Sequence, residues 1–204
     1  NFNGGGHNNT AVGNNALYSN SGGNYNTAIG YQALYSNISG IENYAGGVSA
    51  LYANTNGSNN MASGYSALNS NTTGGYNAAS GSTALHLNTS GNYNTANGYQ
   101  ALYFNTTASC NIAIGSRALL WQSYSNAGSP WISNNVAVGY EALFFNEPTS
   151  TNNGVENTAI GNYAMHSNTT GLANTAIGFE ALYSNTTGIS NTACGIGGLY
   201  SNTI

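Results

Sequence analysis

The stretch Asn26-Thr27-Ala28-Ile29-Gly30-Tyr31-Gln32-Ala33-Leu34-Tyr35-Ser36-Asn37 returns 17 residues later as Asn43-Tyr44-Ala45-Gly46-Gly47-Val48-Ser49-Ala50-Leu51-Tyr52-Ala53-Asn54. The same pattern opens at Asn9, Asn26, Asn43, Asn60, Asn77, Asn94, Asn111, Asn135, Asn157, Asn174 and Asn191. A short fixed period means that one small structural turn is repeated and stacked. The unit is too short to bury a core of its own, so each turn must pack against its neighbours.

Numbering each unit from its opening Asn, position 3 is always Ala and position 5 always Gly. Position 8 is Ala except for Gly198, and position 9 is Leu except for Met165. Position 12 is Asn in ten units and is lost only after Arg117. A residue fixed in every unit occupies a place that every turn presents identically. Period-2 alternation puts positions 3 and 5 on one face of a short strand, with Ala and Gly admitting close approach of another backbone. Gly at position 5 suits a positive φ or a tight corner. Leu at position 9 is the main core candidate. The Ala-Leu-Tyr-Ser-Asn segment reads as a second strand or a single helical turn, and periodicity does not choose between them.

These features predict an all-β fold: a parallel β-solenoid, or β-roll, of about eleven 17-residue coils with two or three short strands each, or with a helical turn per coil. Residues 1–204 form one continuous array. Coils stacked at about 4.8 Å make a rod on the order of 50 Å long. Asn ladders would tie coil to coil at about 1 kcal/mol net per bond, so stability must come from their number. The aromatic row at position 10 (Tyr18, Tyr35, Tyr52, Tyr103, Tyr183, Tyr200) reads as structural stacking.

Composition excludes several functions. The chain has one cation, Arg117, five glutamates, and neither Lys nor Asp. Without a basic patch there is nothing to release counterions from phosphates, so nucleic-acid binding is not expected. No run approaches the roughly 18 apolar residues of a membrane span. No secretory leader is recognisable, through cleavage or because the sequence lies inside a longer protein. Many Asn, Ser, Thr and Tyr with almost no charge suit an extracellular fibre surface.

No catalytic constellation is visible. His7, His86 and His166 are far apart in the array, and the last two replace Tyr at position 10. Cys110 and Cys194 lie several coils apart, beyond disulfide reach, and the calcium-loop pattern needs Asp. No cofactor, metal site or enzymatic activity is expected. Arg117 and Glu141 both fall at position 7 of consecutive units, which predicts an ion pair worth about 0–1 kcal/mol if exposed.

Two consecutive units are longer than the rest. Insertions at 120–134 and 146–156 carry both tryptophans and both prolines and are expected to protrude as one lateral knob. Insertions in solenoids collect on one face, often the binding face. Trp121, Tyr124, Trp131, Phe144 and Phe145 are thus candidate contacts for a glycan or a neighbouring protomer; the alternative is that they cover the core at a bulge. Asn37, Asn71, Asn88, Asn105, Asn168 and Asn185 sit in Asn-x-Ser/Thr triplets and are candidate glycosylation sites. The same triplets also arise because Asn-Thr-Thr-Gly makes a good turn.

At Asn26-Thr27-Ala28-Ile29-Gly30 and Asn174-Thr175-Ala176-Ile177-Gly178 the chain resembles the head repeats of trimeric autotransporter adhesins. It is closer still to the N-T-A-I-G-Y-Q-A-L-Y-S-N arrays of bacterial and phage tail-fibre-like proteins. The resemblance implies a parallel β-roll, often trimeric, displayed outside the cell for attachment; the unit here is longer than the usual adhesin repeat. The leading expectation is a non-catalytic structural subunit of an extracellular fibre. Its partner would be a second copy, as a trimer or as a head-to-tail filament through open coil edges. The second expectation is a surface-glycan module using the Trp121/Trp131 knob. The third is an ice-binding solenoid, which Tyr44, Met61 and Ala78 argue against by interrupting the Thr row at position 2.

Overall fold

A computed structural model describes residues 4–204. Each regular coil contributes one three-residue strand from positions 2–4. These are β1 (Thr10–Val12), β2 (Thr27–Ile29), β3 (Tyr44–Gly46), β4 (Met61–Ser63), β5 (Ala78–Ser80), β6 (Thr95–Asn97), β8 (Ile112–Ile114), β10 (Val136–Val138), β11 (Thr158–Ile160), β12 (Thr175–Ile177) and β13 (Thr192–Cys194). They form one 11-stranded parallel sheet in that order. Partners are the same repeat positions, as in Thr27↔Tyr44, Ala28↔Ala45 and Ile29↔Gly46. The longer units keep this register, with Ala113 opposite Ala137 and Ala137 opposite Ala159. The protein is an all-β solenoid. Among the described residues no helix is long and apolar enough to cross a membrane.

The interior is built from three positions. Ala at positions 3 and 8 and Leu at position 9 form a single hydrophobic column that runs from Ala16 to Ala193. The strand has its middle residue inside and its outer two facing solvent, the buried Ala of Thr-Ala-Ile being the smallest side chain that fills the space. Position 5 lies beyond the strand, at a corner. Gly64 has φ of +137°, and a Cβ there would stand 2.5 Å from the Gly81 carbonyl oxygen of the next coil. Both the left-handed backbone and the space exclude any larger residue.

The Ala-Leu-Tyr-Ser-Asn segment forms neither a strand nor a helical turn. The only helix among the described residues is a short 3-10 turn, Asn126–Gly128, inside the first insertion. Instead, the backbone enters the left-handed region at positions 7 and 9, and again at position 17, as at Gln32 (φ 54°), Leu34 (φ 53°) and Glu42 (φ 58°). A bulky residue there costs roughly 1–2 kcal/mol. The compensation is inter-coil bonding. Gln32 N donates back to Asn14 O at 3.0 Å, Leu34 N forward to Ala50 O at 2.9 Å, and Glu42 N back to Asn24 O at 3.0 Å. Leaving such an N–H buried and unpaired would cost about 1–3 kcal/mol. The conformation is therefore stable only in a stack.

Two buried asparagine ladders complete the interior. Along position 12, Asn37 Nδ2 donates to Asn20 Oδ1, Asn54 to Asn37 and Asn71 to Asn54, each at 2.8 Å. Along position 1, Asn43 N and Nδ2 both donate to Asn26 Oδ1, at 3.0 and 3.1 Å. The ladders meet at the position-15 carbonyl: Gly57 O accepts from Asn43 Nδ2 and Asn54 Nδ2, both at 2.9 Å.

This geometry corrects the glycosylation reading. Asn37, Asn71, Asn88, Asn105, Asn168 and Asn185 are all fully buried. Their amide nitrogens are donors to the ladder, so a glycan on any of them is incompatible with the packed coil. By contrast, Asn8 and Asn56, which head two other Asn-x-Ser/Thr triplets, are exposed.

Candidate functional site

The repeat is broken between Gln122 and Asn135 and between Asn146 and Asn157, and the inserted segments are shorter than expected. Leu120, Trp121 and Gln122 still hold positions 10–12, since Phe104 N donates to Leu120 O and Trp121 N to Phe144 O, both at 3.1 Å. Asn146 likewise stays in the position-12 ladder, with Asn168 Nδ2 donating to its Oδ1 at 2.9 Å. Gln122 takes the place of an Asn there, and Asn146 Nδ2 donates to its Oε1. Its extra methylene shifts the amide out of step, leaving Gln122 Nε2 and Asn105 Oδ1 buried without partners.

The tryptophans do not form a joint knob. Trp121 belongs to the body and stacks on Phe104 with ring centroids 4.0 Å apart. Trp131 lies in a second, two-stranded sheet, where β9 (Trp131–Ile132) pairs with β7 (Ala108–Ser109). It is only 6% exposed and packs with Ala108 and Val155, against which Tyr124 and Leu172 also rest. Its Nε1 donates to the Tyr124 carbonyl at 3.3 Å. Both rings cover the body where the coil is interrupted. The insertions meet in this small cluster, to which the first contributes Trp131 and the second Val155. The first then folds back so that Ser90 Oγ donates to Gly128 O at 3.1 Å, and the second closes on itself through Asn153 Oδ1, which accepts from Thr149 N at 3.0 Å. A shallow, mostly apolar groove of about 250 Å³ lies between Tyr93, Cys110, Pro130 and Ile132.

Charge gathers at one corner instead. Arg117 Nη2 lies 2.5 Å from Glu141 Oε1 and also donates to the Tyr140 hydroxyl. The guanidinium carbon stands 5.3 Å from the Tyr140 ring centre and 5.9 Å from that of Phe144, within cation–π range. The other Glu141 oxygen, Oε2, lies 3.4 Å from His166 Nε2. His166 is stacked between Phe144 and Tyr183 at 5.1 and 5.0 Å, with Phe145 edge-on at 5.3 Å. Burial pushes the imidazole below its ordinary range, and the Glu141 carboxylate partly opposes that shift. The Tyr140 hydroxyl is shifted up, first by its contact with the Glu141 carboxylate.

This arrangement is a staple across three coils. Glu141 is buried, so its pairing matters more than that of a solvent-exposed pair. Sequence reading assigns His166 only a Tyr-replacing role and misses its contact with Glu141. The available signal was the corner itself: positions 7 and 10 of adjoining coils face one another. Phe144 and Phe145 are part of this cluster and not of the insertions. The position-10 rings stack coil on coil, Tyr18 on Tyr35 at 5.1 Å and Tyr35 on Tyr52 at 5.2 Å. Both cysteines are free, Cys110 half-buried and Cys194 exposed.

Comparison with protein-family models, with curated proteins and with solved structures returned no match. The functional reading therefore rests on the geometry.

Proposed function

We propose that the chain is a structural segment of an extracellular fibre, without catalytic activity, that associates with further copies of itself. The observation that carries this reading is the in-register stacking of eleven strands with identical repeat positions paired throughout. A body of constant section, tied by bonds that repeat at every step, transmits load along its axis and presents the same sides throughout. Its nearly uncharged, polar surface suits a fibre exposed to varying salt, because little of its stability depends on screened charges.

Two modes of association are open to it. Copies can stack end on end by the same in-register parallel pairing that joins neighbouring coils within the chain, since the edge of a strand is a template for another. Rods can also pack side by side. Val12, Ile29, Tyr44, Met61, Ile112, Ile114, Ile160 and Ile177 are exposed on the outer sheet face, and extended apolar surfaces of this kind mark interaction sites. Trimeric packing is the side-by-side form that the adhesin resemblance suggests.

The test is negative-stain electron microscopy with analytical ultracentrifugation over a hundredfold range of concentration. Rods that lengthen or bundle as concentration rises support the proposal. Monodisperse single rods at the highest concentration refute it. The binding reading loses its Trp121/Trp131 knob, whose rings are engaged elsewhere.

A further inference from the structure

The rings at position 6 behave differently from those at position 10. Position 6 is aromatic in every second coil, as Tyr31, Tyr65, Tyr99, Tyr140 and Phe179, and carries Val48, Ser82, Ser116 and Asn162 in the coils between. The sequence thus contains a 34-residue alternation within the 17-residue period: Gly30-Tyr31, Gly64-Tyr65 and Gly98-Tyr99 recur at that spacing. Tyr140 and Phe179 continue it at the same position across the longer units.

Core packing does not demand these rings. Tyr31, Tyr65, Tyr99 and Phe179 are 50%, 60%, 53% and 44% exposed, and only Tyr140, held beside Arg117, is half-buried. Position-10 rings occupy consecutive coils about 5 Å apart and use their faces on one another. A ring in every second coil is separated from the next by twice that step, about 10 Å. The faces stay uncovered by a neighbour of the same row, because the coil between carries a non-aromatic residue, Val48, Ser82, Ser116 or Asn162. Exposed aromatics spaced in this way form a platform for stacking, the contact by which an apolar ring face meets an equally uncharged partner.

We propose that this edge is a binding track for an extended, neutral, β-1,4-linked polysaccharide laid along the rod axis. The two-coil step is comparable with the disaccharide repeat of such a chain, so every second sugar ring meets an aromatic ring. The edge has no array of cations to hold an anionic polymer, Arg117 being already paired with Glu141. Gln32, Gln100 and Glu180, which directly follow three of these rings at position 7, supply polar groups for sugar hydroxyls. This inference goes beyond the fibre reading and does not depend on self-association.

The experiment is depletion binding of the full chain on microcrystalline cellulose and, separately, on chitin powder, which distinguishes the two sugar types. The parent is expected to bind at least one of them. The Tyr31→Ala/Tyr65→Ala/Tyr99→Ala variant is expected to lose about tenfold or more in affinity, and the corresponding triple Phe variant to stay within about threefold of the parent. The decisive variant is Tyr65→Ser/Ser82→Tyr, which keeps the number of rings and destroys their spacing; a loss of about threefold or more is expected. Circular dichroism checks each fold, and Tyr65→Ala alone serves if the triple Ala variant does not fold. Failure of the parent to bind either polymer overturns the proposal. So does parent-like binding by the Ala variant or by the swapped variant.

Discussion

Replacing Asn54 by Ala removes three buried hydrogen bonds from one coil: Asn54 Nδ2 to Asn37 Oδ1 at 2.8 Å, Asn54 Nδ2 to Gly57 O at 2.9 Å, and Asn71 Nδ2 to Asn54 Oδ1 at 2.8 Å. At about 1 kcal/mol net each the loss is about 3 kcal/mol. The damage is unequal. Gly57 O keeps its bond from Asn43 Nδ2, and Asn71 Nδ2 keeps Gly74 O, whereas Asn37 Oδ1 loses its ladder donor. Asn54→Asp is the sharper probe. It puts an oxygen where the amide nitrogen stood, against Asn37 Oδ1 and Gly57 O, so at neutral pH it should cost more than Ala. A buried carboxyl facing two acceptors is more stable protonated, which raises its folded pKa above the unfolded value of about 3.9. The stability of this variant is therefore greatest below about pH 4 and falls as pH rises through the raised value. The assay is urea unfolding followed by circular dichroism at pH 4 and pH 7, with hydrogen exchange reporting the coils on either side. Asn56→Ala, at an exposed asparagine, is the control and should change stability by less than about 0.5 kcal/mol. An Asn54→Ala variant indistinguishable from that control, or an Asn54→Asp variant whose deficit does not shrink at pH 4, would refute the ladder as a source of stability.

Gly64→Ala should destabilise by about 3 kcal/mol or more, because it combines an unfavourable backbone region with a clash against the backbone of the next coil, which the stack holds in place; thermal melting reads it, and a change below about 1 kcal/mol contradicts the close-approach argument. Gln122→Asn should stabilise by about 1 kcal/mol by letting its amide reach the unpaired Asn105 Oδ1, measured by the shift in urea midpoint. His166 has a folded pKa below its unfolded value, so its contribution is full above the unfolded value of about 6.5 and is lost as pH falls through the lower folded value. Exchanging it for the repeat's usual residue, His166→Tyr, should flatten that part of the stability–pH curve, as thermal melts between pH 5 and 8 would show.

Much of the body was legible in the sequence. Ala at positions 3 and 8 and Leu at position 9 recur because every coil offers the same small interior volume, so recurrence alone locates the core. The placement of Arg117 beside Glu141 also follows from counting positions, since the stack converts equal position into adjacency. The left-handed backbone at positions 7 and 17 was not legible. Asn15, Gln32, Ser49, Arg117 and Tyr163 share that conformation at position 7 and have no common chemistry. It is set by which neighbouring coil must receive the N–H, and no local propensity records that. The insertions were placed too early for a related reason: Leu120, Trp121 and Gln122 do not look like the repeat, yet their backbone holds its place.

The asparagines mark the boundary between the two kinds of information. By itself the sequence determined that every coil carries Asn at position 1 and all but one carry it at position 12, and hence that the chain is a periodic rod. Only the tertiary structure decided that these amides point inward. Inside, each must donate and accept at once between coils above and below, which makes them core residues and withdraws them from glycosylation. It likewise decided that both tryptophans cover the body where the coil opens, and that the alternate tyrosines of position 6 are among the rings left facing solvent. Orientation of a side chain depends on what the next coil leaves unsatisfied, and that is a property of the stack.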